Sequence, residues 1–235
     1  MAEQANIYPM WNEFETTISR SFAISPITQS NSSPVITLIV GESKTTYFVN
    51  KDVLTEAGRF FEKCLNSGMK EAQTHVIELP EDNCQAFDVF VDYAYGRKLE
   101  IVGDKDVFDC MQAWMLGDKL LAPKFQNVLV ASIINYYQGA NRLLHPSLFA
   151  WASENVPLDS KLYRATRDVL IWTWTGCWGT FDLASHLYQE AFADLLADHK
   201  DAVGDLLRGT WDLLSAGTDR SDFVRPGEYR VEETD

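Results

Sequence analysis

The side chains in this 235-residue chain that could do chemistry are few and scattered. Histidines stand at His75, His145, His186 and His199. Asp182 and His186 are four apart, as are Asp194 and Asp198, a spacing that puts each pair on one helix face, where it could grip a metal. A solvated helix surface shows the same spacing and is the plainer reading. The cysteines, Cys64, Cys84, Cys110 and Cys177, form no C-x-x-C pair, and each sits in an apolar-rich helical pattern. They read as buried free thiols of a reducing compartment rather than as a disulfide or metal set. Cys177 stands between Trp174 and Trp178 with no basic neighbour in sequence to lower its pKa, so it reads as packed rather than reactive. Trp172, Trp174 and Trp178 cluster around Gly176 and Gly179. Core packing is the default for such a cluster, and a partner-binding patch is the alternative, because exposed Trp anchors interfaces. No Gly-x-x-x-x-Gly-Lys-Ser/Thr, Gly-x-Gly-x-x-Gly or Gly-x-Ser-x-Gly occurs. The expectation is a protein that acts by surfaces, with no catalytic residue, cofactor or metal. A metal-dependent enzyme in the C-terminal half is the remote alternative.

Charge narrows the partners. The formal net charge is −14. It is spread as −2 over residues 1–33, −5 over 34–139 and −7 over 140–235. No basic patch is available to neutralise phosphates, which argues against nucleic acid and against an anionic membrane surface. No apolar stretch reaches the ~18 residues of a membrane span. Residues 1–33 lack the basic start and apolar run of a signal peptide. The expected setting is intracellular and soluble, cytoplasmic and/or nuclear.

The elements that would carry such a surface begin at residue 35. Residues 35–40 and 47–49 are short runs rich in β-branched and aromatic residues, joined by the Gly-led polar link Gly41-Glu42-Ser43-Lys44, and they read as a β-hairpin. Two short helical patterns follow, then a strand over residues 75–79. Asp82 or Asn83 is placed to cap a helix over residues 83–95, whose Phe87, Phe90, Val91 and Ala94 form one apolar face. Gly96 to Ile101 reads as a turn into a short edge strand. Residues 104–121 and 123–138 are helical, the second opened by Pro123 and apolar nearly all round, so it should be covered on more than one side. Beyond Gly139 the pattern is helical only: residues 146–155, 160–173, about 181–196 and 201–214.

The order and lettering of the first half resemble a BTB/POZ domain. ITLIV followed by YFVNKDVL is similar to that family's opening hairpin and first helix, RFFEKCLNSGMKEA to its second helix and the loop after it, and HVIELPEDNCQAFDVFVDYAYGRKLEI to its third strand, third helix and exit turn. The resemblance covers residues 34 to about 138 and is nearest to the short BTB proteins common in fungi. It implies an α+β fold, a small sheet flanked by helices, followed by an all-helical C-terminal region. It also implies protein–protein association, as a homodimer, and the absence of enzymatic activity. Met69 and Glu71 match the apolar-x-Glu triplet by which many BTB adaptors touch cullin-3 of a ubiquitin ligase. The alternative is a BTB scaffold that ignores cullins. Three positions depart from the family: Asn50 stands where His usually precedes Lys51, Thr55 to Phe61 replaces Ser-x-x-Ser-Pro-Phe-Phe, and Val35 replaces an Asp. In BTB transcription factors that Asp and the basic residue, here Lys51, make a charged pocket at the dimer groove. With Val35 in its place, that pocket is not expected.

The flanks complete the expected layout. In residues 1–33, Trp11, Phe14, Ile18 and Phe22 make a helical stripe too short to stand alone, followed by a Ser/Asn/Gln/Pro linker. The stripe caps its own domain or docks on a second copy. Residues 34–139 are the BTB/POZ domain and 140–217 a helical region, a distant relative of the BACK region of longer adaptors. Residues 218–235, polar with Pro226 and Gly227, should be frayed. No 20–50-residue repeat is present, so no substrate-reading array is encoded.

Overall fold

The computed structural model describes residues 33–68, 70–139, 142–176, 186–216 and 223–233. Residues 33–235 cluster as one compact unit. Strand β1 (Val35–Val40) pairs antiparallel with β2 (Thr45–Asn50), from Val35 opposite Asn50 to Val40 opposite Thr45. The link turns at Gly41, φ +73°, where an added Cβ would meet the Cys84 sulfur at 2.9 Å and the Asp82 carbonyl at 3.1 Å. Both the backbone angle and the close approach demand glycine there.

Helices α1 (Lys51–Ala57), α2 (Arg59–Asn66) and α3 (Lys70–Thr74) then carry the chain across to β3 (Val76–Leu79). Strand β3 lies on the other side of β1 and parallel to it, so the sheet order is β2-β1-β3. A parallel neighbour requires a long crossover, and the three helices supply it. Alternation along β1 buries Ile36, Leu38 and Val40 completely, next to Val49, Ile77 and Leu79.

Helix α4 (Cys84–Ala94) is capped by Asn83, whose Oδ1 accepts from the amides of Gln85 at 2.7 Å and Ala86 at 3.1 Å. Asn83, not Asp82, is therefore the cap. Helices α5 (Asp104–Lys119) and α6 (Pro123–Gly139) complete this half. Phe90 is the hub of its core: its ring centroid lies 5.7 Å from Phe61, 5.6 Å from Phe87 and 5.3 Å from Phe125, all fully buried. The edge strand expected over 96–101 does not form. Gly96 at φ +68° ends α4, the Arg97 guanidinium turns back onto Asp92 at 2.7 Å, and no described strand offers this stretch a ladder partner.

Helices α7 (Pro146–Asn155), α8 (Lys161–Gly176), α9 (His186–Asp198) and α10 (Lys200–Ala216) follow. Helix α6 joins the two regions. It packs on α5, on α8 and on a 3-10 turn at Pro226–Tyr229, which explains its nearly unbroken apolar lettering.

The C-terminal segment departs from the expectation that it frays. Over residues 223–233 Val224 and Tyr229 are buried. Gln138 donates to the Val224 carbonyl at 2.8 Å. The Asn127 amide donates to the Val231 carbonyl at 3.0 Å and accepts from its N–H at 2.6 Å. Tyr229 donates its hydroxyl proton to Asp168 at 2.8 Å. Polar lettering with Pro and Gly reads as loose only when nothing satisfies the backbone, and here helix side chains do.

Candidate functional site

The sequence directs attention first to the link between α2 and α3. Gly68 turns the chain at φ +71° with open space around it. Helix α3 buries none of its residues, so it lies on the surface as a single short turn. Glu71 sits in its first turn, half-buried. Met69, with which Glu71 would act, lies outside the described residues.

Lys51, the basic member of the charged pocket that the family's transcription factors build, is committed elsewhere. Its ammonium donates to the Asn66 side chain at 2.8 Å and to the Leu65 carbonyl at 3.3 Å, fastening the end of α2. Val35 contributes only an exposed apolar side chain opposite Asn50. The outer face of the hairpin carries a second one, Phe48, 67% exposed. Tyr47 beside it is anchored inward, donating to Asp88 at 2.9 Å; burial, and then that carboxylate, push its phenol well up.

The other sequence candidates separate. Trp172 is 8% exposed and is core, so the partner-patch reading fails for it. It lies three residues on from the buried Val169, on the same face of α8, which leaves little ring surface to offer. Trp174 is half-buried with its ring centroid 5.0 Å from Phe192. Trp178, Cys177 and Asp182, the side chain of His186, and the stripe Trp11, Phe14, Ile18 and Phe22 lie outside the described residues. Asp194 and Asp198 are both exposed on α9, and no group of three metal-ligating side chains occurs among the described residues.

The described cysteines are free thiols, and burial, with Asp109 adding to it, pushes Cys110 up to about 12. At neutral pH that sulfur is an unreactive thiol. His199 stands between Ser153, 3.3 Å from Nδ1, and Glu154, 3.6 Å from Nε2. The string has the residue types of a hydrolytic triad, but the Ser153 hydroxyl proton is turned to a backbone carbonyl. Ser153 lies within α7 and donates its proton to the Ala150 carbonyl at 2.7 Å. It ties α7 to the junction of α9 and α10.

Two features escaped the sequence reading. One is an exposed apolar row on α10: Leu207, Trp211 and Leu214, at 56%, 72% and 68% exposure. Its signal was available, because α10 holds more apolar residues than the single buried stripe of Ala202, Leu206 and Leu213 can use. The other is a polar clamp in the C-terminal half. Arg167 lies 2.7 Å from Asp168 and 3.0 Å from Asp205. Burial alone would lower the Arg167 pKa, but the two carboxylates raise it instead. The same contact holds Asp205 below its usual range against burial. Asp168 is only 9% exposed and Tyr229 closes its other oxygen. No local pattern announces such a clamp.

No curated protein matches the chain. The family model of the BTB/POZ domain matches residues 29–134. That span holds the three-stranded sheet and the helices on it, so the fold here is that of a BTB/POZ domain, a small sheet flanked by helices, and an all-helical region follows it.

Proposed function

We propose that the chain is an intracellular protein-association module, of the short type common in fungi, that dimerises through its BTB half and serves as an adaptor for a cullin-3 ubiquitin ligase. The observation that carries the adaptor reading is Glu71 in the first turn of α3, a helix with no buried residue, two positions after Met69 in the sequence. In the adaptor the Met side chain fills an apolar cleft on the cullin and the carboxylate contacts it. Methionine suits that part, being unbranched and able to reshape to a partner. Catalysis would belong to the ligase. Residues 34–139 act as the docking unit and the helical region recruits the client, through Trp174 and Trp178 or through other surfaces of that half.

Replacing Met69→Asp together with Glu71→Ala tests this. Cullin-3 should stop co-purifying with the protein while its thermal unfolding stays unchanged. An unaltered partner list would leave the second reading, a BTB scaffold independent of cullins, which the exposed Val35 and Phe48 on the hairpin favour. Dimerisation is tested by light scattering. The full-length chain should show twice the monomer mass, and a chain starting at Ser30 should lose part of it if Trp11, Phe14, Ile18 and Phe22 dock on a second copy. Monomeric masses for both would remove the dimer.

A further inference from the structure

We propose that α10 is a self-association helix, whose exposed row Leu207, Trp211 and Leu214 packs antiparallel against the same row of a second copy. The row belongs to a longer pattern. Lys200, Gly204, Leu207, Trp211 and Leu214 follow one another at steps of four, three, four and three. That is the spacing of a helix that meets another helix along a seam. The face turned inward is a different one: Ala202, Leu206 and Leu213 are buried, and Gly209 abuts Ile171 of α8. The seam is therefore not used by the fold of one copy, and more than half of each of its three large apolar side chains is exposed.

What favours a second copy is how the row fits itself. Gly204 leaves a gap in it: among the described residues, a Cβ added there would have only the Arg208 Nη1 near it, at 3.7 Å. Trp211 is the largest side chain of the row and stands at the same place in the repeat as Gly204. In a parallel pair each position meets itself, so gap would face gap, indole would face indole and Lys200 would face Lys200. An antiparallel pair with its two-fold axis level with Gly209 avoids all three. Leu207 then meets Trp211 of the second copy, and Leu214 fills the space over its Gly204. Each contact occurs twice, and in each a larger side chain meets a smaller one, which is what close packing requires.

Charge points the same way. At a net −14, two copies repel over most of their surface. The seam itself holds no acidic residue. Of the carboxylates beside it, Asp205 is shared between Arg167 at 3.0 Å and Arg208 at 3.5 Å. In the antiparallel register Arg208 stands beside Asp212 of the second copy, while the two Asp212 side chains stand apart. At their exposures the three apolar side chains offer roughly 400 Å² per copy, or roughly 800 Å² for the pair before the stems of Lys200 and Arg208 are added. That is the low end for a specific interface, so the contact is a weak one that forms at micromolar concentration. The inference does not rest on a dimer through the BTB half, because α10 lies outside the span that the family model matches.

Sedimentation velocity of the full-length chain over about 1–100 µM tests it. Mass should rise with concentration. The Leu207→Ser, Trp211→Ser, Leu214→Ser triple variant should move that rise to at least about tenfold higher concentration, with the thermal midpoint unchanged because these side chains are exposed. If the BTB half also dimerises, the step takes dimers to tetramers or longer assemblies, and the triple variant still removes it while the BTB dimer stays. The register has its own test. Gly204→Cys together with Leu214→Cys should, on mild oxidation, join two chains by a disulfide mapped to positions 204 and 214. Within one helix those positions are roughly 15 Å apart, too far for a bond inside the chain. Either substitution alone should give no link through α10. No concentration-dependent step in the native chain, the same step in the triple variant, a link through α10 in either single variant, or none in the double variant would each overturn the proposal.

Discussion

In the BTB half, Phe61, Phe87, Phe90 and Phe125 meet ring to ring beneath a three-stranded sheet, and Gln126 is the one buried polar residue there among those described. In the helical half, the described residues bury Thr166, Asp168 and Thr173, and a guanidinium sits between two carboxylates. The first region is closed by apolar area, which is tolerant of direction. The second is also closed mainly by apolar side chains, Phe149, Leu162, Leu170 and Ile171 among them, but adds an ionic clamp whose partners must stand at particular distances. The difference bears on function. A core sealed by rings leaves the BTB surface free to specialise, so its candidate contacts lie on a one-turn helix and a hairpin face. The helical half adds to its apolar core one ionic clamp, Arg167 with Asp168 and Asp205.

The contrast can be broken by substitution. Phe90→Ala should cost the most, about 3–5 kcal/mol by chemical denaturation, because a fully buried ring with three aromatic neighbours leaves a cavity. Arg167→Ala should cost about 2–4 kcal/mol, because it strands the buried Asp168 carboxylate. If Arg167→Ala proved as mild as a surface change, the clamp would add nothing to the apolar closure of the helical half. Tyr229→Phe removes one hydrogen bond to Asp168 and should cost about 1–2 kcal/mol. Faster hydrogen exchange over residues 223–233 would accompany it.

Smaller effects sharpen the same comparison. His145, at the start of α7, has its pKa lowered by burial, with Asp104 opposing. The folded state therefore disfavours the charged imidazole, and between the lowered value and the ordinary 6.5 the unfolded chain binds more protons. Stability should rise with pH across that window. His145→Gln should flatten the rise, read from thermal midpoints between pH 5 and 7. Asp104, raised by burial, acts with the opposite sign nearer the carboxylate range, so the two are separable. The least effect belongs to Lys105→Ala, an exposed partner of Asp109 at 3.6 Å, worth about 0.3–0.5 kcal/mol and less in salt.

The sequence alone determined what periodicity and short-range chemistry encode. The hairpin of β1 and β2, the apolar face of α4, the capping position before it and the nearly all-round apolarity of α6 are set by alternation in strands, by 3.6-residue spacing in helices and by single residues such as Gly41 and Asn83. The BTB/POZ lettering lies within that reach, because its words are contiguous. Only the tertiary structure decided that β3 lies parallel to β1 on its far side, that residues 96–101 have no strand to pair with among the described residues, and that residues 223–233 are held down. It also decided that Trp172 is core while Trp211 is exposed, and that Arg164 and Lys200 face one groove. Each of these depends on residues far apart in the chain that folding brings together, and a polar or charged side chain carries no local mark of which distant partner it will meet.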